Sequence, residues 1–234
     1  MIILDFISKN HREKSGLKFK FTKNLRKYDL GVLSIAVPTN QLDIVIPPRT
    51  DSVKLTSICY PECTKNYIPE DGITVFAGNL HTHLAGRAVR TKLGDSLILE
   101  CTYGSKNRNK FTLGGFGTSD EMCINFIYYY PKIDFLGCQS TKLNEDLEKF
   151  YKNNSLMPIG TTLNGSVRNN SKLIGDHLTK LKPSRQLIER IKNFYENSDF
   201  HIGACAGDKN SSIFLTEKKE FLKPDKVFAE KKYC

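Results

Sequence analysis

The hydrophobic pattern divides the chain into two regimes. Over the first two thirds, apolar residues come in short, β-branched runs of strand length, cut by proline and glycine. Residues 17–22 alternate Leu17, Phe19 and Phe21 with Lys18 and Lys20, the period-two signature of a strand. Further strand-length runs cover residues 32–37, 42–46 and 53–60, separated by Pro38, Pro47, Pro48 and Pro61. Residues 73–84 predict a long strand, and 97–103 and 122–130 two more, with Gly114, Gly115 and Gly117 turning the chain between the last two. The Tyr128, Tyr129, Tyr130 run is expected to belong to the core. From residue 134 the period changes. Leu143, Leu147, Phe150 and Tyr151 fall at helical spacing, residues 155–170 are polar and read as a loop, and Leu187, Ile188, Ile191, Phe194 and Tyr195 mark a second amphipathic helix opened by Pro183 and Ser184. Many short strands with Pro and Gly turns predict a mainly β chain, a β-sandwich.

Two strand segments carry chemistry. His81 and His83 are one residue apart in Asn79-Leu-His-Thr-His-Leu-Ala-Gly-Arg87. If both lie in a strand, they share one face. Met122, one of three methionines, follows a glycine turn in Gly114-Gly-Phe-Gly-Thr-Ser-Asp-Glu-Met-Cys-Ile-Asn125. Imidazole suits copper, and a thioether selects Cu(I). The three residues together make a candidate site for copper that cycles through Cu(I). Asp120 and Glu121 have two readings, as groups that orient the turn or a ligand, or as a solvated acidic turn. Asn125 and Phe126 flank the site and are candidates to face a substrate.

Composition narrows the field. A length of 234 residues suits one or two domains. The formal net charge of +10 is scattered among acids, with no helix-turn-helix or base-stacking motif, so a nucleic-acid partner is not expected. Attraction to acidic polymers or vesicle contents is the milder reading. No stretch has the length of a transmembrane helix. Residues 1–4 are apolar but too short for a signal-peptide core, which taken literally keeps the chain in the cytosol. Seven cysteines argue for an oxidising compartment, with reduced buried thiols as the alternative. Spacing alone leaves roughly fifteen pairings for six of them. Cys59 and Cys63 have no comparable second pair, which disfavours zinc. Asn-x-Ser sequons stand at Asn153, Asn164, Asn169 and Asn210, and fit a glycosylated secretory protein.

The same segments carry a family resemblance. His81-Thr-His-Leu-Ala-Gly-Arg87, Cys59-Tyr-Pro-Glu-Cys63, Cys101-Thr-Tyr103, Gly114-Gly-Phe-Gly117, Asp120-Glu-Met-Cys123 and Tyr128-Tyr-Tyr-Pro131 resemble the C-terminal half of the catalytic core of copper type II, ascorbate-dependent monooxygenases. The nearest branch is that of the dopamine β-hydroxylases, tyramine β-hydroxylases and dopamine β-hydroxylase-like monooxygenases. The resemblance implies a jelly-roll type β-sandwich over residues 1–140, with a C-terminal helical and loop tail over 141–234 tied back by a disulfide. It implies an oxygen-binding copper on His81, His83 and Met122, ascorbate as reductant, and molecular oxygen and a small amine as substrates of a benzylic hydroxylation. It further implies disulfides Cys59–Cys138, Cys63–Cys205 and Cys101–Cys123, and a secretory or extracellular location. Cys234 is left over and opens a covalent homo-oligomer. Two departures stand out. The chain has no adjacent histidine pair for the family's electron-transfer copper, and His11 reads as a solvent-exposed residue in a polar stretch. The strand after His83 runs almost directly into the next one, so a few dozen residues of the family pattern are expected to be missing near 93–94, which would expose sheet edges. A monooxygenase half, a non-catalytic copper-binding or interaction module, and an incomplete fragment are the three readings.

Overall fold

Short β-branched runs become strands here where a neighbour completes their backbone hydrogen bonds, and fail where none does. The computed structural model describes residues 16–92, 96–163, 170–197, 200–207 and 212–220. In chain order the elements are β1 (Gly31–Ala36), β2 (Val45–Ile46), β3 (Val53–Cys59), α1 (Pro61–Tyr67), β4 (Thr74–His81), β5 (Gly86–Lys92), β6 (Leu97–Tyr103), β7 (Thr112–Leu113), β8 (Ile124–Tyr130), β9 (Gly137–Lys142), α2 (Asn144–Asn153), α3 (Ser171–Lys180), α4 (Arg185–Asn197), β10 (Phe200–Ala206) and β11 (Ser212–Glu220). The molecule is mainly β. A six-stranded sheet runs β11-β10-β9-β1-β8-β4, a three-stranded sheet runs β3-β6-β5, and β2 pairs with β7.

The core lies between the two larger sheets. Leu33 and Ile35 on β1, with Ile127 and Tyr129 on β8, are buried in one cluster with Leu55 on β3 and Leu99 and Cys101 on β6. Ser57 on β3 stitches the layers. Its hydroxyl donates to the Ala36 carbonyl at 2.7 Å and accepts the Ser140 N–H at 2.9 Å, while the Ser140 hydroxyl accepts the Ile58 N–H at 2.7 Å. Disulfides Cys59–Cys138 and Cys101–Cys123 cross between the layers, and Cys63–Cys205 joins α1 to β10. The α1 helix starts on Pro61, whose missing N–H costs nothing in a first turn.

The chain after residue 140 is not only helix and loop. β9 spans that position, running parallel to β1 and antiparallel to β10, so β10 and β11 extend the main sheet. Glycine, serine, alanine and cysteine dominate β9 and β10, which leaves no hydrophobic period to read. The helices pack on the same body. Phe150 on α2 stacks on Phe194 on α4 at 4.1 Å, and the Tyr195 hydroxyl donates to the Leu42 carbonyl at 2.8 Å. Glu196 accepts the Lys54 N–H of β3 at 3.0 Å. Among the described residues, no helix is long and apolar enough to cross a membrane.

Three expected strands change. Residues 17–22 form none, and Leu17, Phe19 and Phe21 are exposed, Phe21 at 95%. Among the described residues no strand lies beside them to take their backbone bonds. Residues 42–46 are mostly a turn closed by the Asp43 N–H on the Asn40 carbonyl, and only β2 remains extended. The 73–84 strand ends at His81. Of the three tyrosines, only Tyr129 is fully buried; Tyr130 is exposed and stacks against Tyr28. β4 is an edge strand exposed along nearly its whole length, with Phe76 and Leu80 about half exposed.

Candidate metal centre

The site forms where the β4–β8 ladder ends. The antiparallel register pairs Leu80 with Asn125 and His81 with Ile124. Opposed residues share a face, so His81, Asn79, Ile124 and Phe126 line the outer side of the sheet. Asn125 points the other way. It is buried, and its amide donates to the Thr91 hydroxyl of β5 at 2.8 Å. Of the two flanking candidates, Phe126 therefore shares the face of His81 and Asn125 does not.

His83 lies past the strand end, in the turn from β4 to β5. The shared face expected from strand geometry does not apply to it; the turn brings its ring to 5.1 Å from that of His81, edge to face at 86°. The Met122 segment, just before β8, faces that turn. Met122 lies just before Ile124, the β8 residue paired with His81. Among the described residues, no three His, Cys, Asp or Glu side chains cluster as a metal site. Met122, on the segment facing that turn, remains the candidate for a third ligand of another residue type.

Glu121 ties the two segments. It is completely buried, and its two carboxylate oxygens accept the N–H groups of His83 at 2.8 Å and Ala85 at 2.5 Å. Its own backbone is held by Leu113 and Gly115 across the glycine turn. Asp120 supplies the next constraint: its carbonyl lies 2.9 Å from His83 Nδ1. A carbonyl only accepts, so Nδ1 is the donor in this contact and Nε2 is the ring nitrogen left to face a ligand. Burial, and then the neighbouring His83, hold the His81 pKa below its ordinary value, against the opposing pull of Glu121. The His81 ring is thus neutral at neutral pH, the state in which imidazole binds metals.

Both turns pack closely around a glycine. A Cβ on Gly86 would fall 1.9 Å from the Thr82 hydroxyl, and one on Gly115 would fall 2.4 Å from Asp120 Oδ2. From below, the buried Tyr103 of β6 donates its hydroxyl to the Met122 carbonyl at 2.6 Å. Burial, reinforced by Glu121, pushes the Tyr103 pKa well above its ordinary value, so it stays a donor. Neither Tyr103 nor the clamp made by Glu121 is legible in the sequence; the only hint is an acidic pair squeezed between a glycine turn and a methionine. The candidate donors, two imidazoles and a thioether, are of the types that suit copper visiting Cu(I). His11 and Cys234 lie outside the described residues, as do Asn164, Asn169 and Asn210; Asn153 is exposed at the end of α2.

Comparison with known proteins agrees with this chemistry. The sequence model of the copper type II ascorbate-dependent monooxygenase C-terminal domain matches residues 28–93 and 88–151. Dopamine beta-hydroxylase of Rattus norvegicus is 33% identical over 174 residues, covering 60% of this chain and 28% of the relative. MOXD1 homolog 1 of Drosophila melanogaster is 34% identical over 173 residues, covering 59% of this chain and 25% of the relative. Tyramine beta-hydroxylase of Caenorhabditis briggsae is 30% identical over 179 residues, covering 62% of this chain and 30% of the relative. The chain thus spans less than a third of the length of each of these relatives. It belongs to the copper type II ascorbate-dependent monooxygenase family, through the C-terminal domain of that family.

Proposed function

We propose that this chain is the substrate-copper half of a copper- and ascorbate-dependent monooxygenase that hydroxylates an activated, benzylic C–H bond of a small amine. The observation that carries the reading is the Glu121 clamp, which fixes the His83 turn against the segment of Met122. His81 and His83 would hold copper through neutral imidazoles, and Met122 through its thioether. When bound, copper supplies one-electron redox chemistry and a centre for molecular oxygen, with ascorbate as the reductant. The chain does the rest. Asp120 fixes the His83 ring, Glu121 holds its turn, and Asn79, Ile124 and Phe126 form the floor on which a substrate lies beside His81. Leu84 and Phe116, exposed at 72% and 82%, stand on the two turns as an apolar rim suited to an aromatic ring.

Secretion fits three disulfides and the exposed sequon at Asn153, the described candidate for a glycan. We read the sandwich as a jelly-roll variant, a reading supported by antiparallel pairing, among the described residues, of every strand pair except β1–β9. We also read residues 93–94 as a break inside the domain. Two overlapping family matches support this, as does an alignment of 174 positions that takes up only 60% of a 234-residue chain. The exposure of β4 agrees with it.

The test is copper stoichiometry followed by turnover. The purified chain should bind one copper, lost in His81→Ala and His83→Ala. It is then given tyramine, oxygen and ascorbate, with and without an added source of the electron-transfer copper domain. Hydroxylated product that requires His83 supports the enzyme reading. Copper binding with no product under either condition favours a non-catalytic copper-binding module, and no His-dependent copper binding rejects both.

A further inference from the structure

β6 touches the Met122 segment twice. Cys101 and Tyr103 are two residues apart on one strand, both fully buried, and so share a face. Cys101 is disulfide-bonded to Cys123, and Tyr103 donates to the Met122 carbonyl at 2.6 Å. The Met122–Cys123 segment is therefore held at two points from the opposite sheet. Met122 itself stands outside β8, whose ladder begins at Ile124. A thioether on a flexible, unbranched side chain takes its position from the backbone that carries it.

We propose that Tyr103 is a positioning residue for the Met122 thioether, acting through the Met122 carbonyl together with the Cys101–Cys123 bridge; this rests on His81, His83 and Met122 being a copper site. The His83 imidazole and its turn are held by a different device, the carbonyl of Asp120 and the carboxylate of Glu121. Thioether and imidazole positions can then be weakened separately. Because the thioether selects Cu(I), loss of the Tyr103 contact acts on one oxidation state of copper.

The experiment measures Cu(I) and Cu(II) affinity by chelator competition on the full chain, for the wild type, Tyr103→Phe, Met122→Ala and His83→Ala. Tyr103→Phe should lower Cu(I) affinity about tenfold, within the range for groups that orient a ligand, and leave Cu(II) affinity unchanged, so that the Cu(II)/Cu(I) potential falls. In the Met122→Ala background, Tyr103→Phe should have no further effect. Equal losses in both oxidation states, or no loss for Cu(I), overturn the proposal. If Tyr103→Phe does not unfold cooperatively, 3-fluorotyrosine at position 103 keeps the ring and alters the donor; a Cu(I) affinity that then stays fixed overturns the proposal too. Copper binding that survives His83→Ala refutes the copper site and the proposal with it. Cu(I) binding that needs Met122 but ignores Tyr103 refutes the proposal alone.

Discussion

Glu121 carries a carboxylate into the interior and spends both oxygens on backbone N–H groups. Deleting it leaves two buried donors unpaired, each worth about 1–3 kcal/mol. Glu121→Ala should destabilise the chain by about 2–4 kcal/mol in urea unfolding. A change below about half a kcal/mol, the usual effect at an ordinary surface site, would show the clamp to be incidental. The histidines and the methionine stand out in the sequence because spacing and rare residue type are local properties. The residues that hold them do not, because each acts at a distance along the chain: Glu121 on a turn 38 residues earlier, Tyr103 on a carbonyl 19 residues later. Asp120 and Glu121 allowed two readings in the sequence. Burial decides for Glu121, and the contact with His83 decides for Asp120.

At the scale of elements, strong periodicity is reliable only where the fold provides a partner. β1, β3, β6 and β8 follow their β-branched runs to within about two residues, because each finds neighbours in a sheet. Residues 17–22 alternate as well as any of them and form no strand. α4 follows its apolar stripe, burying Ile188, Ile191 and Tyr195. Ile191→Ala should cost about 2–4 kcal/mol by opening a cavity between α4 and the body, read by thermal or urea unfolding. A cost near zero would mean that α4 is not docked. On α2, Glu148 accepts from Lys152 at 2.5 Å and from the Leu163 N–H at 2.7 Å. The Lys152 bond, and then that of Leu163, hold its pKa below the ordinary 4.5. Its stabilising contribution is therefore complete above that value and lost as pH falls through the lower, folded-state pKa. Wild type should unfold at a higher temperature than Glu148→Gln at neutral pH, with the gap closing in the acid range. A gap independent of pH would refute the assignment.

Among the described residues, the two larger sheets are locked by two disulfides, a third ties α1 to β10, and the candidate site lies where the β4–β8 ladder ends. The Cys pairs in the structure are those implied by the resemblance, which spacing alone could not choose. What the sequence hid at this scale is that the tail feeds two strands back into the main sheet, since sheet membership is a long-range property that small residues do not announce. The account stands on copper being held by two histidines and Met122. X-ray absorption on the Cu(I)-loaded chain tests that most directly. It predicts imidazole scattering plus one sulfur scatterer, the sulfur vanishing in Met122→Ala and the imidazole signal collapsing in His83→Ala. A Cu(I) spectrum with no sulfur, or one unchanged by either substitution, would contradict it.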